Sequence, residues 1–417
     1  MFVINDTLGV YGGSQTLILR VCTWLCTKKI ATAIITDSIA NTEIVDKLKK
    51  INVTIECVNR NDISSYINVL SNLCRDKNVK VVSFVYDFFI DIELAKRRGK
   101  LEFDNLIYCI HPEAFNRGTP NSTIKRFLKI PLIYFYRNLF IKMNNNNSVF
   151  MMDEINTIES EKYLNVSLNK KPAIIRLPMI CRERPDFEKI INDGCESQMI
   201  LTASRAEYPY KGYIFGLLEI FVELKKSYPE LKLTIVSGGG DLDRLYKCLT
   251  SLKDNIKSSI IIYKWMDYES LLELAKNCKL FIGMGTSVLD MALCYKPAIA
   301  VKFNTYECLG DSFISEKPEY ITTEVGCTRS AKPLIRKVLD MDKVEYRQEA
   351  IKSFESVKRV YDIDLCMSNF INSTTKKRAT LLSLFDSFIY SLYKKYVYIK
   401  TKKTKRAYDY NDLQKEK

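Results

Sequence analysis

The sequence predicts an α/β protein of two doubly wound, Rossmann-like domains that face a cleft, followed by a C-terminal amphipathic helical tail. Short runs rich in Val and Ile alternate with amphipathic segments along residues 1–180, a pattern typical of parallel sheets covered on both faces. The alternation stops at a polar stretch and restarts at 197. Two such domains in one chain normally bind a ligand at the carboxyl ends of their strands.

The same pattern sets the domain boundaries. An N-terminal domain spans 1–180, a polar linker spans 181–196, and a second domain spans 197–345. Helices at 346–372 close the globule, and a basic tail occupies 373–417. Each boundary is placed where apolar periodicity gives way to polar or strongly charged sequence.

The predicted strands of the first domain are short runs rich in β-branched residues. They are FVIN (2–5), ATAIITD (31–37), VTIECV (53–58), VKVVSFVYD (79–87), NLIYCIHP (105–112), SVFMMD (148–153) and PAIIRLP (172–178). The segment 14–29, between the first two runs, is apolar on nearly all sides and therefore predicts a buried helix.

The second domain repeats this alternation of strands and helices. Its predicted strands are MILTA (199–203), LKLTIV (231–236), SSIIIYKWM (258–266), KLFIGMG (279–285) and KPAIAVKF (296–303). Helical periodicity appears in 213–229, 241–249 and 268–278. The acidic residues of 241–243 are predicted to cap the second of these helices, and Asp267 is placed to cap the third.

Composition excludes several classes of protein. Hydrophobic residues make up 47% of the chain, which fits a globular protein with real cores. Thirteen cysteines without regular spacing, and no recognisable secretory leader, predict reduced thiols in a cytoplasmic protein. The single histidine argues against a zinc site, so no metal is expected. No apolar run reaches the ~20 residues of a membrane span.

Three turns of the second domain follow predicted strands, at the edge where α/β domains bind ligands. In the first turn (204–212), Arg205 follows a strand and Lys211 precedes a helix. Two cations beside a helix N-terminus suit a diphosphate, because the helix dipole and free amides add to their charge. The alternative is that both side chains are solvated loop residues.

The other two turns are rich in glycine. In the second turn (237–241), Gly238 and Gly239 allow either a close approach of the backbone to a ligand or a simple sharp bend. In the third turn (283–287), backbone amides and two hydroxyls are placed to bind phosphate oxygens. A carboxylate in the helix after it is placed to bind ribose hydroxyls. These groups belong to Gly285, Thr286, Ser287 and Asp290.

The first domain offers two further candidate sites. Gly12 and Gly13 precede the predicted helix 14–29, where free backbone amides can bind an anion, although a plain tight turn explains them equally. His111 ends a predicted strand immediately before a proline. A structural histidine is the alternative to a site role there.

The tail carries most of the positive charge. From 374 to 417 there are twelve Lys/Arg and four Asp/Glu, a net +8 of the total +14. One helical face collects Leu381, Leu384, Phe385, Phe388, Leu392 and Tyr396. Such a face flanked by lysines suits a helix in the interface of an anionic membrane, and docking on the protein's own body or on a subunit is the alternative. Nucleic acid is not expected, because the body lacks zinc-finger spacing and RNP-like motifs.

Three stretches between 204 and 301 resemble glycosyltransferases of the GT-B fold. They are SRAEYPYKG, PELKLTIVSGGG and LLELAKNCKLFIGMGTSVLDMALCYKPAIAV. The chain is most similar there to the large family 4 (group 1) of bacterial surface polysaccharide synthesis, and the resemblance runs through most of 1–370. It implies that the first domain binds the acceptor and that the second binds a nucleotide-diphosphate sugar.

The resemblance also implies roles for individual residues. In that family an Arg and a Lys at the positions of Arg205 and Lys211 bind the donor diphosphate, and the acidic residue matching Asp290 binds the ribose. The Gly-Gly loop, here Gly12 and Gly13, lies near the diphosphate. A histidine matching His111 lies near the transferred sugar.

This sequence departs from the family at one acidic position. The family commonly carries two glutamates eight positions apart; here the second is shortened to Asp290, and Ile282 stands where the first would be. The sugar contact of that glutamate is therefore absent or supplied by another group. Retention of anomeric configuration, which is usual in the family, is what the resemblance implies.

These features together predict a metal-independent, hexosyltransferase-like enzyme without a cofactor. It moves a sugar from a nucleotide-diphosphate sugar to a saccharide or lipid-linked saccharide acceptor, in the cytoplasm or at the inner face of the plasma membrane. The basic segment 122–143 is predicted either as a surface for a lipid-linked acceptor or as an ordinary core helix. A nucleotide-sugar 2-epimerase and a non-catalytic binding or scaffold protein on a degenerate fold are the alternatives.

Overall fold

A computed structural model of the chain describes residues 1–8, 13–39, 42–75, 78–111, 123–264, 266–324 and 326–395, except for the side chains of 123–130. The chain divides into two compact units. The first unit joins Met1–Ile175 to the chain from Met367 onward, and the second is the continuous segment Arg176–Cys366. Gly12 and Tyr396, which the sequence places at the candidate site and on the tail face, lie outside the described residues.

The first unit is built on a parallel sheet, with seven strands in the part of the chain that is described. They are β1 (Phe2–Asn5), β2 (Thr32–Thr36), β3 (Thr54–Cys57), β4 (Lys80–Ser83), β5 (Asp104–Cys109), β6 (Val149–Met151) and β7 (Ala173–Ile174). The order is β3-β2-β1-β4-β5-β6-β7, and every neighbouring pair is parallel. The direction of winding reverses between β1 and β4, which is the topological switch point.

Helices connect the strands of the first unit. They are α1 (Gly13–Thr27), α2 (Thr42–Lys50), α3 (Ile63–Cys74), α4 (Tyr86–Gly99), α5 (Thr123–Asn145) and α6 (Glu154–Leu164). As its sequence predicts, α1 is buried along most of its length. From Leu132 to Met143, α5 contributes buried apolar side chains to the core, so this part of the basic segment is a core helix.

The second unit contains another parallel sheet, of five strands within the described ranges. They are β8 (Met199–Ala203), β9 (Lys232–Val236), β10 (Ile260–Tyr263), β11 (Leu280–Gly283) and β12 (Ala298–Ala300). The order is β10-β9-β8-β11-β12, again with parallel neighbours, and the switch point lies between β8 and β11. The first, second and third turns leave the carboxyl ends of β8, β9 and β11, which are adjacent strands.

The helices of the second unit lie between its strands and after them. They are α7 (Phe187–Glu196), α8 (Tyr213–Leu224), α9 (Leu242–Thr250), α10 (Asp254–Lys257), α11 (Tyr268–Lys276), α12 (Thr286–Ala292), α13 (Lys332–Asp340) and α14 (Lys343–Tyr361). Asp267 caps α11 as predicted, because its carboxylate accepts from the N–H of Ser270 at 2.9 Å. Helix α15 (Ile363–Asn372) then leads back to the first unit.

The predicted linker 181–196 is not a plain linker, because it contains α7. This helix packs on α14 and buries Ile190, Ile191 and Gly194. A Cβ atom at Gly194 would lie only 2.6 Å from the hydroxyl of Tyr346, so the glycine permits the close packing. Of the polar residues that suggested a linker, those at 182–186 precede the helix, and Glu188, Lys189, Asn192 and Asp193 lie on its solvent-facing side.

Two smaller corrections concern strand ends. The sequence predicts a strand through 79–87, but β4 ends at Ser83 and α4 begins at Tyr86. The predicted strand at 172–178 is reduced to β7, a pair of residues at the edge of the sheet. The other predicted strands are present in order, which confirms the two-sheet α/β architecture.

The tail docks on the first unit up to residue 395. Its final described helix, α16 (384–395), follows an extended stretch in which Thr375 donates to Asp104 at 2.6 Å. Leu382 and Tyr390 are buried in the core of the first unit, and the Tyr390 ring stacks on Phe135 at 5.8 Å. The tail up to residue 395 therefore contributes side chains to the core of the first unit.

A buried carboxylate fixes the end of α16. Asp91, on α4, is fully buried and lies 2.9 Å from the Nε of Arg60 and 2.6 Å from the Nζ of Lys394. Burial raises the pKa of the Asp91 carboxyl, and the two cations oppose that shift. A buried charge is stable only when it is paired, so Asp91 depends on both partners.

We expect Lys394→Ala to lower the free energy of unfolding by about 1–3 kcal/mol, because it removes a charged partner from a buried carboxylate. Lys395→Ala is the matched control, since Lys395 is the exposed neighbour with the same charge. We expect it to change stability by less than about 0.5 kcal/mol. Urea unfolding of both variants measures the difference, and equal values would show that the Lys394–Asp91 pair does not hold the tail.

Candidate functional site

Backbone hydrogen bonds join the first and second turns of the second unit. The N–H of Ser204 donates to the carbonyl of Val236 at 2.9 Å, and the N–H of Ala206 donates to that of Gly238 at 2.7 Å. In return, the N–H of Asp241 donates to the carbonyl of Ala206 at 3.2 Å. The two turns thus form one surface beyond the ends of β8 and β9.

The side chain of Asp241 braces the first turn. Its Oδ2 accepts from the N–H of Tyr208 at 2.7 Å. The sequence predicts that the acidic residues of 241–243 cap the following helix, but the Asp241 carboxylate makes no capping bond to α9. That prediction is corrected: the carboxylate stabilises the loop carrying the two candidate cations.

Arg205 and Lys211 lie on the same loop, as predicted. The Arg205 side chain is 60% exposed, and its Nη1 is 3.1 Å from the carboxylate of Glu207. The half-buried Lys211 donates its backbone N–H to the carbonyl of Glu207 at 2.6 Å, one residue before the N-cap of α8. Glu207 therefore shapes the loop with its backbone and pairs with one of its cations.

A third cation, which the sequence does not predict as a site residue, lies at this position. The guanidinium of Arg244, on α9, lies 3.9 Å from the ring centroid of Tyr208 and 4.9 Å from that of Phe215. Stacking on two rings holds an otherwise exposed arginine beside the first turn. The amphipathic pattern of α9 gave no signal, because it marks Arg244 only as a surface residue.

The second turn needs glycine at its centre. Gly239 has φ +108°, in the region that favours glycine, and a Cβ there would lie 3.1 Å from the carbonyl oxygen of Ala206. Gly238, beside it, accepts the hydrogen bond that joins the two turns. The glycines therefore let the second turn pack against the first.

The third turn depends on the backbone freedom of a glycine. Gly285 has φ +76° and ψ −148°, a conformation open essentially to glycine alone, and its N–H donates to the carbonyl of Ile321 at 2.7 Å. Thr286 and Ser287 begin α12 and are half-buried, and the Ser287 hydroxyl donates to the carbonyl of Met284 at 3.2 Å. The two hydroxyls lie at the edge of the sheet where prediction puts them.

Asp290 is buried one turn into α12. Its Oδ1 accepts from the hydroxyl of Tyr268 at 2.8 Å. Tyr268 opens α11 and is partly exposed, so it links the buried carboxylate to the surface. Sequence analysis missed Tyr268, because the residues meet only through the packing of α11 on α12.

Ile282, at the position of the missing glutamate, is fully buried inside β11. Its neighbour across the ladder is Ile299 of β12. Its side chain belongs to the core and brings no polar group to the turns. The departure from the family pattern is therefore a packing position in this chain.

The remaining candidate site residues that the structure describes belong to the first unit. Gly13 is exposed at the start of α1, and the half-buried His111 follows the end of β5. A further acid, Asp6, is buried at the carboxyl end of β1, where burial raises its pKa to about 7 although the N–H of Thr7 donates to it at 2.7 Å. All three positions follow strands at the same edge of the first sheet.

The described part of the chain offers no group of three His, Cys, Asp or Glu side chains arranged to hold a metal ion. None of its described helices is both long and apolar enough to cross a bilayer. The candidate site is therefore made of cations, glycine turns, hydroxyls and one buried carboxylate.

Comparison with solved structures identifies the fold. HepE of Anabaena, solved with UDP, is 12% identical, with a TM-score of 0.62 over 89% of this chain and 98% of that one. A glycosyltransferase of Rickettsia africae is 14% identical, with a TM-score of 0.59 over 89% and 97%. TarM of S. aureus, solved with UDP, α-GlcNAc-glycerol and fondaparinux, is 12% identical, with a TM-score of 0.57 over 89% and 99%.

These similarities show that the chain has the GT-B fold of two Rossmann-like domains, as predicted, with a C-terminal helical tail in addition. No protein-family model matches the chain, and no curated protein matches it in sequence. At identities this low the likeness establishes the fold and leaves the activity to be argued from the site.

We expect Gly285→Ala to lower the free energy of unfolding by about 1–3 kcal/mol, the cost of forcing a side chain into this backbone region. No atom lies within 4 Å of a Cβ built at Gly285, so the effect isolates backbone strain. Gly240→Ala is the control, because that site is equally open and its φ is not positive. Chemical denaturation gives both values, and equal stabilities would contradict the assigned strain.

Proposed function

We propose that the protein is a glycosyltransferase that moves a sugar from a nucleotide-diphosphate sugar to a saccharide or lipid-linked saccharide acceptor. One observation carries the proposal. The turns after β9, β8 and β11, which are adjacent strands, place cations, glycines and a buried carboxylate beside the switch point of the second unit. This combination matches the phosphate and ribose groups of a nucleotide-diphosphate sugar. The GT-B neighbours solved with UDP support it.

Arg205 and Lys211 would stabilise the departing diphosphate. The Arg205–Glu207 pair is largely exposed, and such pairs contribute at most about 1 kcal/mol, so a phosphate can replace Glu207 at little cost. Lys211 stands beside the N-terminus of α8, whose dipole also favours an anion. Negative charge developing on the leaving group is thus met by protein cations. We extend the proposal to catalysis without a metal or cofactor.

The pair of Asp290 and Tyr268 would bind the ribose. An ionised carboxylate has about four acceptor positions, so the bond from Tyr268 orients Asp290 without using its capacity. Ribose hydroxyls are donors of the kind such a carboxylate accepts. The glycine turns and the hydroxyls of Thr286 and Ser287 are proposed to contact the phosphate oxygens.

The first unit is proposed to bind the acceptor. His111 would lie near the transferred sugar, and Gly12 and Gly13 near the diphosphate, in the roles that the resemblance to family 4 implies. Membership of that family, a retaining outcome, and a role in surface polysaccharide synthesis are parts of the same proposal. The proposal also includes a cytoplasmic location and a peripheral contact of the tail with an anionic membrane.

A non-catalytic nucleotide-sugar-binding or scaffold protein is the second candidate. It is favoured by Ile282, which lies buried where the family usually has a glutamate that contacts the sugar. Such a protein would bind the nucleotide through the same turns but would not break the bond between sugar and diphosphate. Binding and turnover therefore have to be measured separately.

The first test is a screen of UDP-, GDP- and TDP-sugars for nucleotide binding by calorimetry and for nucleotide release. We expect one base to be preferred, and Arg205→Ala or Lys211→Ala to weaken binding about 10- to 100-fold, the value of a charge-assisted hydrogen bond. Lys232→Ala is the control, because Lys232 is exposed at the start of β9, on the opposite edge of the sheet.

Two outcomes of this screen would contradict the proposal in different ways. Nucleotide affinity that is unchanged in Arg205→Ala and Lys211→Ala would remove the assigned diphosphate site. Tight binding without nucleotide release, tested with saccharide and lipid-linked acceptors present, would favour the non-catalytic candidate.

A second prediction separates ribose from phosphate recognition. Asp290→Asn keeps the shape of the side chain but removes its charge, so we expect roughly tenfold weaker binding of the preferred nucleoside diphosphate. Inorganic pyrophosphate has no ribose, and its affinity should not change. Calorimetry measures the affinity of the variant for both ligands. An equal loss of affinity for pyrophosphate would place Asp290 outside the ribose site.

A further inference from the structure

Helix α16 carries apolar side chains on two sides. One side packs on the first unit through Ile389, Tyr390 and Tyr393. The other side carries an exposed stripe, Leu384, Phe385, Phe388 and Leu392, whose exposed fractions are 77%, 67%, 61% and 52%. The sequence predicts one apolar face that either docks on the protein or meets a membrane, whereas the structure shows a docked side and a separate exposed stripe.

The exposed stripe is a continuous patch and not a scatter of single residues. Its members occupy positions i, i+1, i+4 and i+8 of the helix, which lie along one side. Single exposed apolar residues are ordinary on protein surfaces, whereas a patch of large ones marks an interaction site. Ser387 and Ser391 border it, so the stripe has a polar margin.

The stripe is held in place by contacts on the opposite side of α16. Lys142 of α5 lies 2.7 Å from the carboxylate of Asp386, and Lys394 lies 2.6 Å from that of Asp91. Tyr390, buried between these ion pairs, anchors the middle of the helix. The stripe is therefore presented on a helix that is already formed and does not have to fold on contact.

Charge distinguishes between the possible occupants of the stripe. Lys395 is exposed and lies seven residues after Phe388, at the end of the same side of the helix. The following sequence, 396–417, has seven Lys/Arg and three Asp/Glu. The stripe carries no carboxylate, so a second copy packed on it in either orientation brings no anionic partner for Lys395. An anionic bilayer instead offers acyl chains to the stripe and phosphates to the lysines.

We propose that the exposed stripe of α16 is a membrane-contact surface that seats the first unit on an anionic lipid bilayer. Phe385 and Phe388 enter the boundary between headgroups and acyl chains, and Lys395 with the basic sequence after it meets the lipid phosphates. The inference rests on the peripheral membrane contact included in the proposed function and names the residues that make it, and it does not depend on the proposed reaction.

The full-length protein is tested by co-sedimentation with vesicles of phosphatidylcholine alone or mixed with phosphatidylglycerol. We expect binding to the mixed vesicles, and at least about tenfold weaker binding for Phe385→Ser/Phe388→Ser, because two large apolar side chains no longer enter the bilayer. Val344→Ser is the matched control, since Val344 is 64% exposed on α14 of the other unit.

A second variant tests the electrostatic part of the inference. Substituting Lys400, Lys402, Lys403 and Lys405 by Gln should weaken binding to the phosphatidylglycerol vesicles by tenfold or more, since each basic residue near such a surface contributes about 1 kcal/mol. Raising the salt concentration should reduce binding of the unmodified protein in the same direction. Thermal unfolding of each variant confirms that the fold is intact.

Three results would overturn the inference. These are no binding to either vesicle, equal binding of the Phe385→Ser/Phe388→Ser protein, or a dimer in light scattering that the same double substitution converts to monomer. The last result would assign the stripe to a second copy of the chain. Nucleotide affinity measured on the same samples keeps this test separate from the proposed function, because the stripe variants should bind nucleotide normally.

Discussion

Parallel pairing of the strands is the constraint on which the rest of the structure depends. Because neighbouring strands run the same way in both sheets, their carboxyl ends share one edge, and each connection must return across a face of the sheet. Loops far apart in sequence therefore meet at that edge. In the second unit the first, second and third turns occupy it together, although about eighty residues separate Arg205 from Gly285. The candidate site is a direct product of this pairing.

Hydrogen bonds between the turns fix their positions, so that they form a defined surface. Asp241 and Gly238 accept hydrogen bonds from the first turn. Gly285 precedes α12 and sets the direction in which that helix begins. Backbone hydrogen bonds between the loops, together with the stacking of Arg244 on Tyr208 and Phe215, set their shape. Preorganised amides and cations of this kind stabilise charge without rearranging at the moment of reaction. The rigidity of the site and the stability of the loops thus rest on the same bonds.

The sequence predicted local structure well and contacts between distant segments poorly. The apolar runs located the strands because buried parallel strands demand Val and Ile, and the glycines located the turns because their backbone conformations exclude other residues. The Tyr268–Asp290 bond and the place of Arg244 depend on how helices pack, which periodicity does not encode. Helix α7 was missed because one buried side gives too few apolar residues to stand out. The docked side of α16 was missed because the helix has apolar residues on two sides, and the sequence pattern was assigned to only one of them.

The discontinuous first unit has a consequence for biosynthesis. Its core includes Leu382 and Tyr390, which emerge from the ribosome after the whole second unit has been made. The second unit is one continuous segment and can complete its core while translation continues. The first unit, although its first strands are made early, cannot bury these side chains until the residues of α16 have emerged. The order of synthesis and the order of completion are therefore reversed, and a nascent chain truncated before α16 would expose the very surface that the tail helix covers.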